Sequence, residues 1–541
     1  MKRMAKLAFL AAMIVLAMPT RSCIAPAVTK AASVGASALP APATGASIDE
    51  SKVQQVLFVN NQSPSAADSN PGTEALPFMT VSHAALIAQS LNARSTGVKV
   101  YIAPGTYREL VSLPQTGKET SAPMVFEGTV RGQVILSGSD VWSGWTQTSN
   151  NVYQHNWPYA WGIAPYPRGW DGNTTLQDIV RRREMVYVNG HNMAQVLQYS
   201  DLTDYTFFAD ENAHIIYLQL GAGISMSDAT VEVAIRPQVF IAQGKKNLVV
   251  RDLVFQHGNA AVQDAAIQVI DSNNVLVDGC TFEWNNWIAL GLSGTSNMTL
   301  TNNVASRNGA TGFDVYNMKN LVLDSNDTSF NNWRGARGNF YGWSVAGAKI
   351  GGVHVGLVSH HTSAGNRARG LWLDYDNRDL TVDSVTSAFN FNDGIFIEAN
   401  PGPILVQNST FANNQNAAGI AGANSSDLTL LNNAVTGNGA EQILITGDLD
   451  RTVVNWENNA QQDVQAARWT IKSNTVTSQD GAQALLVVSQ NWQPFLSTLS
   501  ADYNIWSKTG GQNTFEVGGQ WFSFPQWQSL VHADGTSVFQ P

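Results

Sequence analysis

Short runs of alternating apolar and polar residues recur through the second half of this 541-residue chain, separated by turns rich in Asn, Gly and Asp. No helical periodicity of 3.6 residues lies between the runs, so we interpret them as short strands. Each unit ends in Asn, and these asparagines stand at positions 285, 308, 331, 366, 390, 414 and 438. The steps between them are 23, 23, 35, 24, 24 and 24 residues. A nearly constant period with one insertion predicts the coils of a solenoid.

Stacked coils would pair each strand with the coils before and after it, about 4.8 Å away, and would bury a continuous apolar column. The recurring Asn is predicted to occupy a tight corner, to adopt a left-handed φ and to hydrogen-bond along a ladder of stacked amides. A leucine-rich repeat is disfavoured because its Leu-x-x-Leu-x-Leu spacing is not repeated, and a propeller would need periods of about 40 residues. The pattern predicts an all-β, right-handed parallel β-helix solenoid.

The ends of the chain differ in composition from the repeats. Residues 1–27 have the basic start, apolar stretch and small residues of a secretory signal peptide, and residues 28–52 are predicted to be a flexible linker. No later apolar stretch is long enough to span a bilayer. We therefore expect a secreted or periplasmic protein whose residues 53–541 form one domain.

Several segments carry a family resemblance. The run from Val56 to Val59, the motif from Val100 to Tyr107 and the block from Arg181 to Gly190 resemble parts of exported parallel β-helix polysaccharide-active enzymes, which include glycoside hydrolases and polysaccharide lyases. The resemblance implies an N-terminal helical cap over Val81–Asn92. It also implies a β-rich insertion at about 140–235 and a C-terminal cap at about 500–541.

Charge and cysteine content narrow the functional classes. The formal net charge is −10 with only 13% charged residues, which argues against a nucleic-acid partner. Cys280 is the one cysteine beyond the signal region, in an apolar-patterned strand, and is expected to be buried and inert. The expected partner is a polysaccharide or oligosaccharide, and we expect a monomer.

Two acidic residues fall at equivalent positions of neighbouring coils. Registering the coils on their asparagines places Asp374 and Glu398 side by side on one outward face, 24 residues apart. Carboxylates about 5 Å apart would split their pKa values, as a glycosidase requires, and that spacing favours a retaining mechanism. Glu398 is the predicted general acid/base and Asp374 the predicted nucleophile or stabiliser; solvated turn carboxylates are the alternative.

Other side chains are predicted to bind substrate around this pair. Aromatic rings at the same face would stack on sugar rings, and arginines of the insertion and of the following coil would suit a carboxylated or sulfated sugar. Salt bridges with neighbouring Asp residues would explain the arginines equally well. The predicted substrate-binding residues are Trp372, Phe396, Asp376, Tyr316, Arg334, Arg337, Arg369 and His354.

Lys349 separates two hypotheses. Its register is open by one residue, and we favour the alignment that points it outward beside Asp374. In β-helix lyases that the chain resembles, a Lys or Arg abstracts a proton while calcium neutralises a uronate carboxylate. Asp314, Asp374 and Asp376 would then supply the calcium ligands, whereas the hydrolase needs no cofactor. A glycoside hydrolase is the leading hypothesis, a lyase the second, and a non-catalytic carbohydrate-binding or adhesion solenoid the third.

Overall fold

The computed structural model describes residues 39–149, 151–447, 451–489, 492–511 and 513–541, whose strands stack as successive coils of a parallel β-helix. The predicted solenoid is thus confirmed. The predicted signal peptide, residues 1–27, lies outside the described residues.

Within the described residues, the coils present three parallel sheets, which we call sheets 1, 2 and 3. Sheet 1 contains Val111–Leu113, Phe240–Gln243, Ala265–Ile270, Ile288–Ser293, Arg369–Asp374, Ile395–Glu398, Ile420–Ala423, Ile443–Thr446, Leu486–Val488 and Phe515–Val517. Sheet 2 contains Val53–Val59, Gly97–Ile102, Met124–Gly128, Lys246–Arg251, Asn273–Asp278, Ser296–Thr301, Arg378–Asp383, Ile404–Gln407, Leu428–Leu431, Thr470–Lys472 and Ser500–Asp502. Thr311–Asp324 and Ala346–Ser359 run through the corner and take part in both sheets.

Sheet 3 closes each coil. It contains Gly105–Tyr107, Val134–Ser137, Val254–Gln256, Thr281–Glu283, Val304–Ser306, Thr362–Ala364, Thr386–Ala388, Thr410–Ala412, Ala434–Thr436, Thr475–Ser478, Ile505–Lys508 and Val538–Gln540.

Alternation along the strands separates the core from the surface. Leu371, Leu373, Ile395 and Ile397 point into the solenoid and are fully buried, as predicted. Burying one such side chain contributes about 1.5–3 kcal/mol relative to leaving it exposed. The residues between them project outward on sheet 1, and Cys280 is buried as expected.

An amide ladder runs along the corner between sheets 3 and 1. The side-chain oxygen of Asn390 accepts hydrogen bonds from the backbone and side-chain nitrogens of Asn366. The side-chain oxygen of Asn414 accepts the corresponding two bonds from Asn390. The predicted ladder is therefore confirmed, but the predicted left-handed φ is wrong for these asparagines. The positive φ belongs to the residue directly ahead of each one, namely Trp284, Arg307, Phe330, Gly365, Phe389, Asn413 and Gly437.

The predicted cap is confirmed as helix α1, Val81–Asn92, whose buried alanines pack on the first coils. Thr80 caps its start by accepting from the backbone N–H of His83. Near the end of the chain, a second helix, Phe524–Val531, packs Trp527 against Phe515 of the last coil. In the described part of the chain, no helix has both the length and the apolar character required to cross a bilayer.

The predicted β-rich insertion forms two sheets beside the solenoid, antiparallel except where Ala194–Gln195 pairs parallel with Thr206–Asp210. One contains Ser139–Val141, Val186–Val188, His191–Asn192 and Val231–Ala234, and the other contains Thr146–Ser149, Val152–Asn156, Ala194–Gln195, Thr206–Asp210 and Ile215–Gln219. Further elements outside the coils are Glu50–Lys52, Asp178–Arg181, Tyr199–Asp201, Trp333–Arg337, Trp492–Thr498, Gln520–Phe522 and the hairpin Arg451–Val454 with Gln461–Val464.

The segment ahead of the first strand corrects the linker prediction. Residues 28–38 lie outside the described residues, but residues 41–47 are held against sheet 2 and we call them the N-terminal strap. Backbone N–H groups of the strap donate to side chains of four different coils, at 3.1 Å to Asp379, 2.7 Å to Asn320, 2.8 Å to Thr299 and 2.6 Å to Asn274. These bonds explain why this part of the segment is ordered.

Candidate active site

A cleft of about 640 Å³ opens on the outer face of sheet 1, where the strands Arg369–Asp374 and Ile395–Glu398 are neighbours. The loop that follows Trp333–Arg337 walls it on one side, and the hairpin that begins at Arg451 walls it on the other. Its lining residues are Trp170, Gln263, Gly342, Trp343, Ser344, Lys349, Arg369, Trp372, Asp374, Phe396, Glu398 and Arg451.

Asp374 and Glu398 both line this cleft. The two strands pair Trp372 with Phe396 and Leu373 with Ile397, so the carboxylates follow at the next position of the same register. Adjacent parallel strands lie about 4.8 Å apart. The structure therefore brings the predicted acidic pair together on neighbouring coils.

Lys349 points outward, as predicted. Its ammonium lies 3.0 Å from Asp374 Oδ2, and Asp314 occupies the equivalent strand position one coil earlier. Burial alone lowers the pKa of Lys349, but the charges of Asp374 and Asp314 outweigh that effect and the net shift is upward. Lys349 is therefore a protonated cation that balances Asp374, and burial raises the pKa of Asp314.

Glu398 has the opposite environment. Burial raises its pKa, the nearby charge of Asp374 raises it further, and Arg451, Arg369 and Lys349 oppose the shift. The nearest cation is Arg451, whose Nη2 lies 3.6 Å from Glu398 Oε1. Glu398 thus retains its proton more readily than an ordinary Glu, whereas Asp374 faces the ammonium of Lys349.

Aromatic rings form the floor between the charges. The rings of Trp372 and Phe396 are 5.6 Å apart, and the Arg369 guanidinium lies 4.5 Å from each ring centre. Arg369 also forms an ion pair with Asp393 at 3.1 Å. The indole N–H of Trp372 is buried and has no hydrogen-bond partner among the described residues.

Tyr316 lies at the margin of the cleft. It is in register with Gly351, which is in turn in register with Asp374. Because glycine has no side chain, the Tyr316 ring extends over this position, as the 3.3 Å approach of a Cβ built on Gly351 shows. Burial and the charge of Asp374 raise the pKa of Tyr316.

The prediction that Asp376 and His354 face the cleft is wrong. Asp376 is 1% exposed at the corner after the strand, where its φ of 62° turns the side chain away from the sheet 1 face. His354 Nε2 lies 3.1 Å from Asp376 Oδ2, and its Nδ1 lies 2.8 Å from Glu457 of the hairpin. Arg378 pairs with the other oxygen of Asp376 at 2.7 Å. These residues fasten the hairpin to the solenoid.

The two arginines predicted from the insertion are also placed elsewhere. Arg334 is fully buried and donates to Gln195, Asn286 and the backbone oxygen of Glu184, so it holds the β-rich insertion to the coils. Arg337 lines a different cavity, together with Trp284 and Arg367. Neither contributes to the cleft of Glu398 because both belong to the side of the loop that faces the insertion.

The calcium ligands proposed for a lyase do not converge. Asp374 pairs with Lys349, while Asp376 is occupied by His354 and Arg378. Within the described ranges, no group of three or more His, Cys, Asp or Glu side chains is arranged to hold a metal ion. The residues present therefore do not fit the predicted calcium site.

Sequence reasoning missed the hairpin and the cleft wall. Arg451 belongs to an extra segment between Asn433 and Asn474, which are adjacent in another amide ladder although 41 residues separate them. That excess over the usual period was a signal for an insertion. Trp170 and Gln263 carried no such signal, since each comes from a different coil or from the β-rich insertion.

Known proteins share this fold. The family model for the right handed beta helix region matches residues 198–338 and 337–460. No curated protein sequence matches the chain. XylC, solved in complex with xylose, is similar with a TM-score of 0.68 and 15% identity over 90% of this chain and 86% of that chain. The A-module of the Azotobacter vinelandii mannuronan C-5 epimerase AlgE6 has a TM-score of 0.50 and 13% identity over 85% of this chain and 96% of that chain.

Proposed function

From the premise that this chain is a right-handed parallel β-helix, we propose that it is an exported glycoside hydrolase acting on a polysaccharide or oligosaccharide. One observation carries the proposal. Asp374 and Glu398 lie on neighbouring strands of one cleft. Asp374 forms an ion pair with Lys349, whereas burial and the charge of Asp374 raise the pKa of Glu398. Two carboxyl groups with separated proton affinities are the machinery of glycosidic cleavage.

Each group has a role in the proposed reaction. Glu398, whose pKa is raised, donates its proton to the glycosidic oxygen as the bond to the anomeric carbon breaks. Asp374, which forms an ion pair with Lys349, attacks that carbon and forms a glycosyl-enzyme ester. Glu398, now a carboxylate, then takes a proton from the water that cleaves the ester. The strand spacing of about 4.8 Å favours this retaining course, which needs carboxyls about 5–5.5 Å apart.

The cleft suits a neutral sugar. Each of its cations already faces an acidic side chain, since Lys349 lies beside Asp374, Arg369 beside Asp393 and Arg451 beside Glu398. An anionic sugar would have to compete for these pairs, whereas a neutral ring can stack on the aromatic floor. The xylose bound to the similar XylC structure makes a xylose-containing glycan the first substrate to test.

The lyase alternative has less support. A lyase base must release its proton, but the pKa of Lys349 is raised by the carboxylates around it. The carboxylates proposed as calcium ligands do not converge. No contact in the described residues favours β-elimination over hydrolysis.

The test is a screen of the secreted form against xylan and xylo-oligosaccharides, other neutral glycans and acidic glycans. We expect new reducing ends without unsaturated-product absorbance, insensitive to chelator, and a loss of about 10²–10⁴-fold in kcat for Glu398→Gln. Glu74→Gln is the matched control, because Glu74 is exposed and does not line the cleft. Chelator-sensitive absorbance would instead establish a lyase, and ligand binding without turnover would establish a binding solenoid.

A further inference from the structure

A second cavity, of about 470 Å³, lies where the coil corners meet the β-rich insertion, and we call it the corner pocket. Corner residues of successive coils form one wall, and the turn at 190–192 of the insertion forms another. Its lining residues are Gly190, His191, Asn192, Trp284, Arg307, Phe330, Asn331, Trp333, Arg337, Gly365 and Arg367.

Positive charge is concentrated in the corner pocket. Arg307, Arg337 and Arg367 converge there, and no Asp or Glu is among its lining residues. This concentration is unusual in a chain with a net charge of −10. Arg307 and Arg367 are exposed, so their guanidinium groups are accessible to a ligand.

The third arginine, Arg337, packs against an aromatic ring but leaves a buried N–H group without an acceptor. Arg337 lies over the Trp333 ring, 5.1 Å from its centre. Its Nη1 atom and the Trp333 indole nitrogen are both buried, and neither has a hydrogen-bond partner among the residues that the structure describes. Burial lowers the pKa of Arg337 to about 10, so the group remains cationic at neutral pH.

An unsatisfied buried donor is costly, and it is costlier for a charged group. Other arginines of this region satisfy their donors, since Arg334 hydrogen-bonds to Asn286 and Gln195, and Arg369 pairs with Asp393. The unsatisfied donors of Arg337 and Trp333 lie in the wall of the corner pocket, beside the accessible guanidinium groups of Arg307 and Arg367.

Aromatic surface accompanies the charge. Phe330 is 60% exposed and adopts a φ of 62°, a conformation that bulky residues rarely adopt. Its ring is fixed beside Gly365, where an added Cβ would lie 2.7 Å from the Phe330 ring. An exposed aromatic ring beside guanidinium groups fits a ligand that has both a hydrophobic ring face and a negative charge.

We infer that the corner pocket is a second carbohydrate site, which binds an acidic saccharide through its carboxylate. Arg337 with Arg307 and Arg367 would supply the bidentate donors, and Phe330 would stack on the sugar ring. This site goes beyond the proposed hydrolysis. The cleft would cut the neutral main chain of a polysaccharide, and the corner pocket would hold an acidic branch of the same molecule. One loop connects the two, since Trp333 and Arg337 face the corner pocket while Gly342 and Ser344 line the cleft.

The test is calorimetric titration of the Glu398→Gln protein with a galacturonic acid oligomer, with a neutral oligomer of the same length, and with inorganic phosphate and sulfate. We expect saturable binding of the acidic oligomer that weakens as salt is raised. Arg307→Gln and Arg367→Gln should each weaken it about 10-fold, and Arg337→Gln at least as much. Arg131→Gln removes the same charge from an exposed arginine that contacts Asn302 and Asp252 instead, and should not change binding.

Each outcome decides the inference. Since Arg307 and Arg367 are exposed, their variants test it even where Arg337→Gln unfolds the loop. Binding of the acidic oligomer that is unchanged in Arg307→Gln and Arg367→Gln, or an equal loss in Arg131→Gln, would overturn it; a neutral oligomer bound in the cleft should be insensitive to all three substitutions. Phosphate or sulfate binding more tightly than the oligomer would assign the pocket to an inorganic oxyanion. Because these titrations use a protein without the proposed acid, their failure is distinct from failure of the hydrolase proposal.

Discussion

An Asn390→Ala substitution interrupts the amide ladder between the coils that carry the two carboxylates. The side-chain oxygen of Asn390 accepts from the backbone and side-chain nitrogens of Asn366 at 3.1 and 2.9 Å. Its Nδ2 donates to Ser363 O at 3.0 Å, to Ser387 Oγ at 3.1 Å and to Asn414 Oδ1 at 3.0 Å. The side chain is fully buried, so water cannot replace these bonds.

The cost can be estimated from the partners left behind. Asn366 keeps a bond from its Nδ2 to Ser363 Oγ, but its backbone N–H loses its acceptor. One unsatisfied buried donor costs about 1–3 kcal/mol, and each lost neutral hydrogen bond contributes about 0.5–1.5 kcal/mol where its partner finds no substitute. We expect the free energy of unfolding to fall by about 3–5 kcal/mol.

Urea unfolding followed by tryptophan fluorescence measures this loss. Asn416→Ala is the matched control, because Asn416 is exposed and donates one hydrogen bond, to Phe391 O at 2.9 Å. It should cost less than about 1 kcal/mol. If Asn390→Ala loses no more stability than Asn416→Ala, the ladder does not hold the coils together and the reasoning is refuted.

Further predictions concern the cleft. Arg451→Gln removes a cation that lowers the pKa of Glu398, so the alkaline limb of kcat/KM should move to higher pH in a pH–rate profile. Glu398→Gln should raise the melting temperature at neutral pH. Folding raises the pKa of Glu398, so this carboxyl destabilises the folded state once the pH exceeds its ordinary value of 4.5. The gain in melting temperature should therefore vanish below that pH. Lys349→Met should lower kcat by about 10–100-fold, because Asp374 loses the ammonium 3.0 Å away, and Lys349→Arg should restore part of it. Trp372→Phe should raise KM more than it lowers kcat, since it reduces the aromatic floor of the cleft but keeps a ring.

Each of these has a contrary result. An alkaline limb that does not move in Arg451→Gln would remove Glu398 from the role of acid. A melting temperature of Glu398→Gln that is unchanged across pH would show that its burial has no energetic consequence. Full activity in Lys349→Met would show that the ion pair with Asp374 does not contribute to catalysis. A fall in kcat for Trp372→Phe as large as the rise in KM would indicate a structural effect rather than a loss of substrate binding.

The solenoid and its acidic pair followed from sequence because both depend on local periodicity. The asparagine spacing set the coil length, and strand alternation then placed Asp374 and Glu398 outward at matching positions. The same argument placed Lys349 correctly once the insertion ahead of it was allowed for. Repetition makes neighbours in space computable from positions in the chain.

The misplaced residues depend on contacts that periodicity does not encode. Arg334 was expected at the cleft, but its acceptor Gln195 lies 139 positions away in the insertion. Asp376 was expected at the cleft, but the left-handed corner turns its side chain away. Residues 41–47 have a linker composition, and nothing local indicates that Asn320 and Asn274 offer matching acceptors.

The N-terminal strap gives the solenoid a mechanical direction. Its hydrogen bonds reach different coils, from Asp379 at Ala41 to Asn274 at Ser47. A force applied at the amino end of the strap would therefore break these bonds one after another rather than simultaneously. The amino end also leaves the molecule beside sheet 2, whereas the cleft opens on sheet 1. A tag or support attached ahead of Leu39 would therefore hold the protein by its flank and leave the cleft facing the medium.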